Sequence, residues 1–145
     1  MKKNAVLFAV LLLGLVSCAN AGEDWLTDFE KAKEDAAARN VPILADFSGS
    51  DWCGWCIRLD KEVFSKSEFK AYAKENVVLF LADFPNSKPQ SAEIKAQNKK
   101  LSNEYGISGF PTVLLLDAEG NVLGRTGYKA GGAVTYVEHI KSLLK

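Results

Sequence analysis

Two cysteines three positions apart, in Cys53-Gly54-Trp55-Cys56, are the residues of this chain best equipped for chemistry. They follow a β-like run and open a helix-like one. In that position the unpaired N–H groups of the first helical turn, with the helix dipole, stabilise a thiolate and can lower a cysteine pKa to about 3.5 to 7.5. Cys53 is then a nucleophile near neutral pH. Three residues is close to one helical turn, so the sulfur of Cys56 can meet that of Cys53 and close a small ring, and the pair can cycle between dithiol and disulfide. Two plainer readings use the same residues: a purely structural disulfide, or half of a zinc site. Zinc asks for four ligands, and the other candidates are Cys18, which export would acylate or remove, and the lone His139. No metal and no organic cofactor is called for.

The rest of the composition narrows the classes. The chain has 145 residues, 48% apolar and 25% charged, which suits one globular domain. Its 18 basic residues balance 18 acidic ones, so it lacks the basic excess that neutralises phosphates, and a nucleic-acid partner is disfavoured. Three cysteines are far too few for a disulfide-stapled scaffold. Lys2 and Lys3 precede an apolar run from Ala5 to Val16, the pattern of a secretory signal and too short to span a bilayer. Leu15-Val16-Ser17-Cys18 has the form of a lipoprotein cleavage site that would leave Cys18 acylated, with a lipid anchor to the membrane; Ala19-Asn20-Ala21 fits ordinary signal cleavage. The expected organisation is a signal peptide over 1–21 and a folded domain over 22–145, working outside the cytoplasm, in the periplasm, where disulfides persist.

Around the cysteines, periodicity predicts the elements that must position them. Asp24–Arg39 reads as an amphipathic helix through Trp25, Phe29, Ala32 and Ala36, ended by Asn40 and Pro42. Val41–Ser48 is an apolar strand with one charge, Asp46, and its continuous apolar character suggests a central strand covered on both faces. A helix runs from Cys53 to about Glu62, and a second from Ser65 to Lys74, where Ser65 and Glu68 have capping-box spacing. Val77–Phe84 is a strand, and Ser91–Glu104 a helix with a stripe of Ile94, Leu101 and Tyr105, ended by Gly106. Thr112–Leu116 and Asn121–Thr126 form a hairpin, and Ala133–Leu144 a closing helix that carries His139 towards solvent. Helices between the first three strands imply an α/β domain, a central mixed sheet of four to five strands flanked by helices on both faces.

Trp52-Cys53-Gly54-Trp55-Cys56 after a strand carrying Asp46, followed by Gly106-Ile107-Ser108-Gly109-Phe110-Pro111-Thr112 at the head of a later strand, resembles the thioredoxin superfamily over essentially the whole mature chain. Glu62-Val63-Phe64-Ser65 and the helix after it resemble the exported bacterial thioredoxin-like proteins and the thioredoxin-like domain of transmembrane reductant carriers. The resemblance implies a thioredoxin fold and a cis Phe110–Pro111 bond beside the cysteines, exposing the backbone of Phe110 to pair with an extended client. It implies that Cys53 attacks a client disulfide, that Cys56 resolves the mixed disulfide, and that Asp46, with its pKa raised by burial, takes the proton. An Asp46 at the strand end facing water is the other reading, because the loop Ser48-Gly49-Ser50-Asp51 is one residue longer than the family's usual spacing.

Trp52, Gly54, Trp55, Phe110 and Pro111 would contact the client, Trp52 either as part of that apolar surface or in the core. Trp55 offers no second positive charge to the thiolate, which favours net reduction, with electrons delivered by a membrane electron-carrier thiol reductase. A disulfide isomerase or oxidase, or a non-enzymatic client-binding module, are the alternative functions. Leu79 stands where the family often has a lysine facing the buried acid, and the segment Asn86–Lys99 is lengthened.

Overall fold

The computed structural model describes residues 25–145; the leader, Cys18 and both cleavage readings lie outside the described residues. The elements are α1 (Phe29–Arg39), β1 (Ile43–Ser48), α2 (Gly54–Leu59) continued by a π-helical turn (Asp60–Phe64), α3 (Ser67–Asn76), β2 (Val78–Asp83), α4 (Ala92–Glu104), β3 (Thr112–Leu116), β4 (Val122–Thr126) and α5 (Gly132–Leu143). The sheet order is β2-β1-β3-β4. β1 runs parallel to β2 and antiparallel to β3, and β4 closes the antiparallel hairpin. This is the thioredoxin fold, with a mixed four-stranded sheet. Leu26 adds a single parallel bridge outside β2, donating to Leu79 O at 2.9 Å and accepting from Leu81 N at 2.8 Å.

All six residues of β1 are buried, as the apolar run predicts for a strand covered on both faces. Alternation then sorts its side chains. Ile43, Ala45 and Phe47 join Phe29, Ala32 and Ala36 of α1, Phe80 of β2 and Leu101 of α4 in one core. Leu44 joins Leu59, Val63, Phe64, Phe69, Tyr136 and Ile140 in the other. Asp46 has the parity of Leu44, so it points to the face on which α2 lies.

Several boundaries move for physical reasons. α1 begins at Phe29 rather than Asp24, because Asp28 is its N-cap, accepting from Lys31 N at 3.2 Å, while Leu26 is drawn into the bridge with β2. Trp25 packs its ring 4.9 Å from Phe64. The predicted cap at Ser65 is absent: Ser65 closes the π turn, its N–H donating to Asp60 O at 2.9 Å and its hydroxyl to Lys61 O at 3.2 Å, and α3 starts at Ser67. The buried stripe of α4 includes Asn98, whose amide donates to Asp83 O at 2.9 Å. His139 is half-buried rather than solvent-facing, with Nε2 2.8 Å from Thr126 Oγ1.

Candidate active site

The loop Gly49–Trp52 turns the chain from β1 into α2, and Cys53 N donates to Gly49 O at 2.8 Å. Cys53 is the N-cap of α2; its Sγ accepts from Cys56 N at 3.2 Å. The two cysteines are joined in a disulfide, with Cα atoms 5.2 Å apart. Among the described residues no cluster of three or more His, Cys, Asp and Glu could hold a metal ion.

The two cysteines are both buried, and they line different pockets. Cys53 lines a groove of about 400 Å³ with Trp52, Ile107, Ser108, Gly109 and Phe110. Cys56 lines a separate cavity of about 290 Å³ with Asp46, Asp60, Phe64, Leu81 and Lys88 among its walls.

The groove is built from two distant segments. β1 and β3 are antiparallel with Phe47 paired to Thr112, so the residues before β3 must lie beside those after β1. The Phe110–Pro111 bond is cis. The Phe110 ring sits 5.9 Å from Trp52, edge-on, and 5.1 Å from Phe84. Trp52 is 47% exposed, which excludes the core reading, and its indole N–H donates to Phe84 O at 2.7 Å. Gly54 is exposed, and a Cβ built on it meets nothing within 4 Å, so the approach past it is open.

Trp55 is 55% exposed on the other side of the motif, with its ring 5.0 Å from Tyr128. Arg58 lies over both rings, at 5.4 and 5.3 Å, and pairs with Glu62 at 2.7 Å. Glu62 also accepts from Tyr128 OH at 2.6 Å. The sequence reading assigned neither Tyr128 nor Phe84 to the site, nor the Arg58–Glu62 pair. The i,i+4 spacing of that pair was the available signal; Tyr128 and Phe84 join the site only through the fold.

Asp46 is 5% exposed, so it does not face water. Burial, with smaller contributions from the negative charges of Asp60 and Asp83, pushes its pKa up to about 8, and its Oδ1 has no hydrogen-bond partner. The register sets Leu81, not Leu79, opposite Asp46, and Leu79 pairs with Leu44. The lysine on this cavity comes from the loop after β2 instead: Lys88 donates to Ser50 Oγ at 3.0 Å.

Residues 29–135 match the thioredoxin-like domain family model, and the chain belongs to that family. The disulfide bond reductase DsbH of Chlamydia pneumoniae is 37% identical over 127 residues, covering 88% of this chain and 76% of that protein. A solved structure of a DsbH oxidoreductase superposes with a TM-score of 0.80 at 34% identity, covering 94% of both chains. The thioredoxin-related protein DsbJ of Chlamydia pneumoniae is 28% identical over 150 residues, with 97% of this chain but only 43% of that longer protein covered. With its paired cysteines and this kinship, the chain is a thiol:disulfide oxidoreductase of the thioredoxin-like class.

Proposed function

We propose that this protein is exported and reduces disulfides in extracytoplasmic client proteins through a Cys53–Cys56 dithiol/disulfide cycle. One observation carries the reading: Cys53 lines the groove beside the cis-proline loop, while Cys56 lines the separate pocket that Asp46 also lines. That arrangement supports a cycle in which one sulfur meets the client and the other gives its proton to a base.

In the dithiol form the Cys56 N–H and the start of α2 stabilise the Cys53 thiolate. That thiolate attacks one sulfur of a client disulfide held along Phe110 and Pro111. A Cys53–client bond forms, the client's S–S bond breaks, and the other client sulfur leaves as a thiolate that takes a proton from water. Cys56 then gives its proton to ionised Asp46, directly or through a water, and attacks Cys53 Sγ. The mixed disulfide breaks, the Cys53–Cys56 bond forms, and the second client sulfur leaves as a thiolate that takes a proton from water, while Asp46 returns its proton to solvent. Two electrons pass from the protein to the client. A dithiol carrier in the membrane restores the reduced state, and Cys18, if acylated, anchors the protein near it. Trp52, Gly54, Trp55 and Phe110 frame the approach.

Insulin reduction in the presence of a dithiol tests this reading. The mature protein accelerates precipitation of the insulin B chain and a Cys53→Ser variant does not; equal rates from both would overturn the assignment.

A further inference from the structure

The loop that is one residue longer than the family's usual spacing spends its length on contacts that the redox cycle does not explain. The carboxylate of Asp51 accepts three backbone N–H groups from the loop after β2: Asn86 on Oδ1 at 2.9 Å, and Ser87 and Lys88 on Oδ2 at 2.7 and 3.1 Å. Beside it, Ser50 N and Oγ both donate to Asp83, at 2.9 and 2.6 Å. The same loop supplies the acceptor for Trp52, since the indole N–H donates to Phe84 O. The indole is also confined from the β1 side: a Cβ on Gly49 would lie 2.5 Å from Trp52 Cε2, so only glycine lets the ring lie so close. Phe110 meets it edge-on across the groove.

We propose that Asp51 is a positioning residue: it clasps the loop after β2 to the loop that carries Cys53, and so holds Trp52 as a preformed wall of the client groove. This rests on the reading of that groove as the client's approach. The three N–H donors, that of Asn86 foremost, hold the Asp51 carboxyl below its ordinary range, so it stays ionised and acceptor-only around neutral pH. A fixed aromatic wall lowers the ordering cost of seating an extended peptide. It does little for a small disulfide that reaches Cys53 without using the groove. The clasp therefore governs client affinity and leaves the sulfur's intrinsic reactivity alone.

Asp51→Asn tests this, because the substitution replaces one acceptor oxygen with an amide group that meets a backbone N–H donor to donor. By NMR, amide exchange at Asn86, Ser87 and Lys88 accelerates about tenfold or more, and the Trp52 indole N–H resonance shifts. For insulin, KM rises about tenfold with little change in kcat. Exchange of the Cys53–Cys56 pair with glutathione stays within about twofold. In a Trp52→Ala background, Asp51→Asn raises KM no further, because the wall it positions is already gone. Unchanged amides and indole overturn the proposal, as does a KM penalty that persists in full without Trp52, or a parallel loss with glutathione. Were the unsubstituted protein inactive on insulin, the functional reading would fall, while the amide and indole signals would still decide whether Asp51 holds Trp52.

Discussion

A carboxyl group in the middle of a buried strand, with an oxygen that accepts nothing, is tolerated mainly while it holds a proton. Asp46 is such a group, with a folded pKa of about 8 against 3.8 when unfolded. Its folded pKa is the higher, so the stability associated with its protonation is present in full below pH 3.8 and is lost as pH rises through about 8. Each unit is worth about 1.4 kcal/mol, so several kcal/mol are at stake across that interval. Denaturant unfolding of Asp46→Asn should show a flatter pH dependence than the parent and greater stability at about pH 9; an unchanged slope would refute the burial argument. The same substitution should slow resolution of the mixed disulfide by about 10²-fold and abolish its acceleration as pH passes through about 8, read by stopped-flow release of client thiol. On the proposed mechanism, this cost at one position provides a base where ordinary aspartates are too weak to serve.

At the scale of elements, the helix carrying the cysteines is anchored by its far end. The π turn after α2 delivers Val63 and Phe64 into the core, where Phe64 meets Trp25 and Phe69 at 4.9 Å and Tyr136 at 6.0 Å. Phe64→Ala should cost about 3 to 5 kcal/mol, whereas Ile57→Ala, on the exposed face of α2, should stay within about 0.5 kcal/mol. Equal losses in urea titrations would contradict this anchoring. The start of α2 was legible because a CxxC after an apolar strand carries its own electrostatic logic. The π turn was not, since an i→i+5 turn has no residue signature, and Ser65 with Glu68 imitated a cap that the turn consumed. The burial of Asp46 followed from the family resemblance and the apolar run of β1. Its partner on β2 did not, because a slip of two residues preserves the face, and so alternation cannot tell Leu79 from Leu81. Asn98 escaped notice for a related reason: a polar residue inside an apolar stripe is revealed only by the Asp83 carbonyl that satisfies it.

Across the whole molecule, the order β2-β1-β3-β4 brings residues 53 to 56 and 110 to 111 to one end of the sheet, though more than fifty positions separate them in the chain. Spacing and composition do not encode that meeting; family resemblance anticipated it, and the antiparallel pairing of β1 with β3 accounts for it. The consequence is a division of the site, with Cys53 on the groove side and Cys56 on the Asp46 side of one disulfide. Among the described residues no helix is long and apolar enough to cross a membrane. The division of labour between the sulfurs is tested most directly by incubating reduced Cys56→Ser protein with a disulfide-bonded peptide and mapping the product by mass spectrometry. The account predicts one peptide sulfur linked to Cys53 in an adduct that persists, with the unsubstituted protein releasing both peptide thiols. Absence of an adduct, or equal labelling of Cys56 in a Cys53→Ser variant, would contradict it.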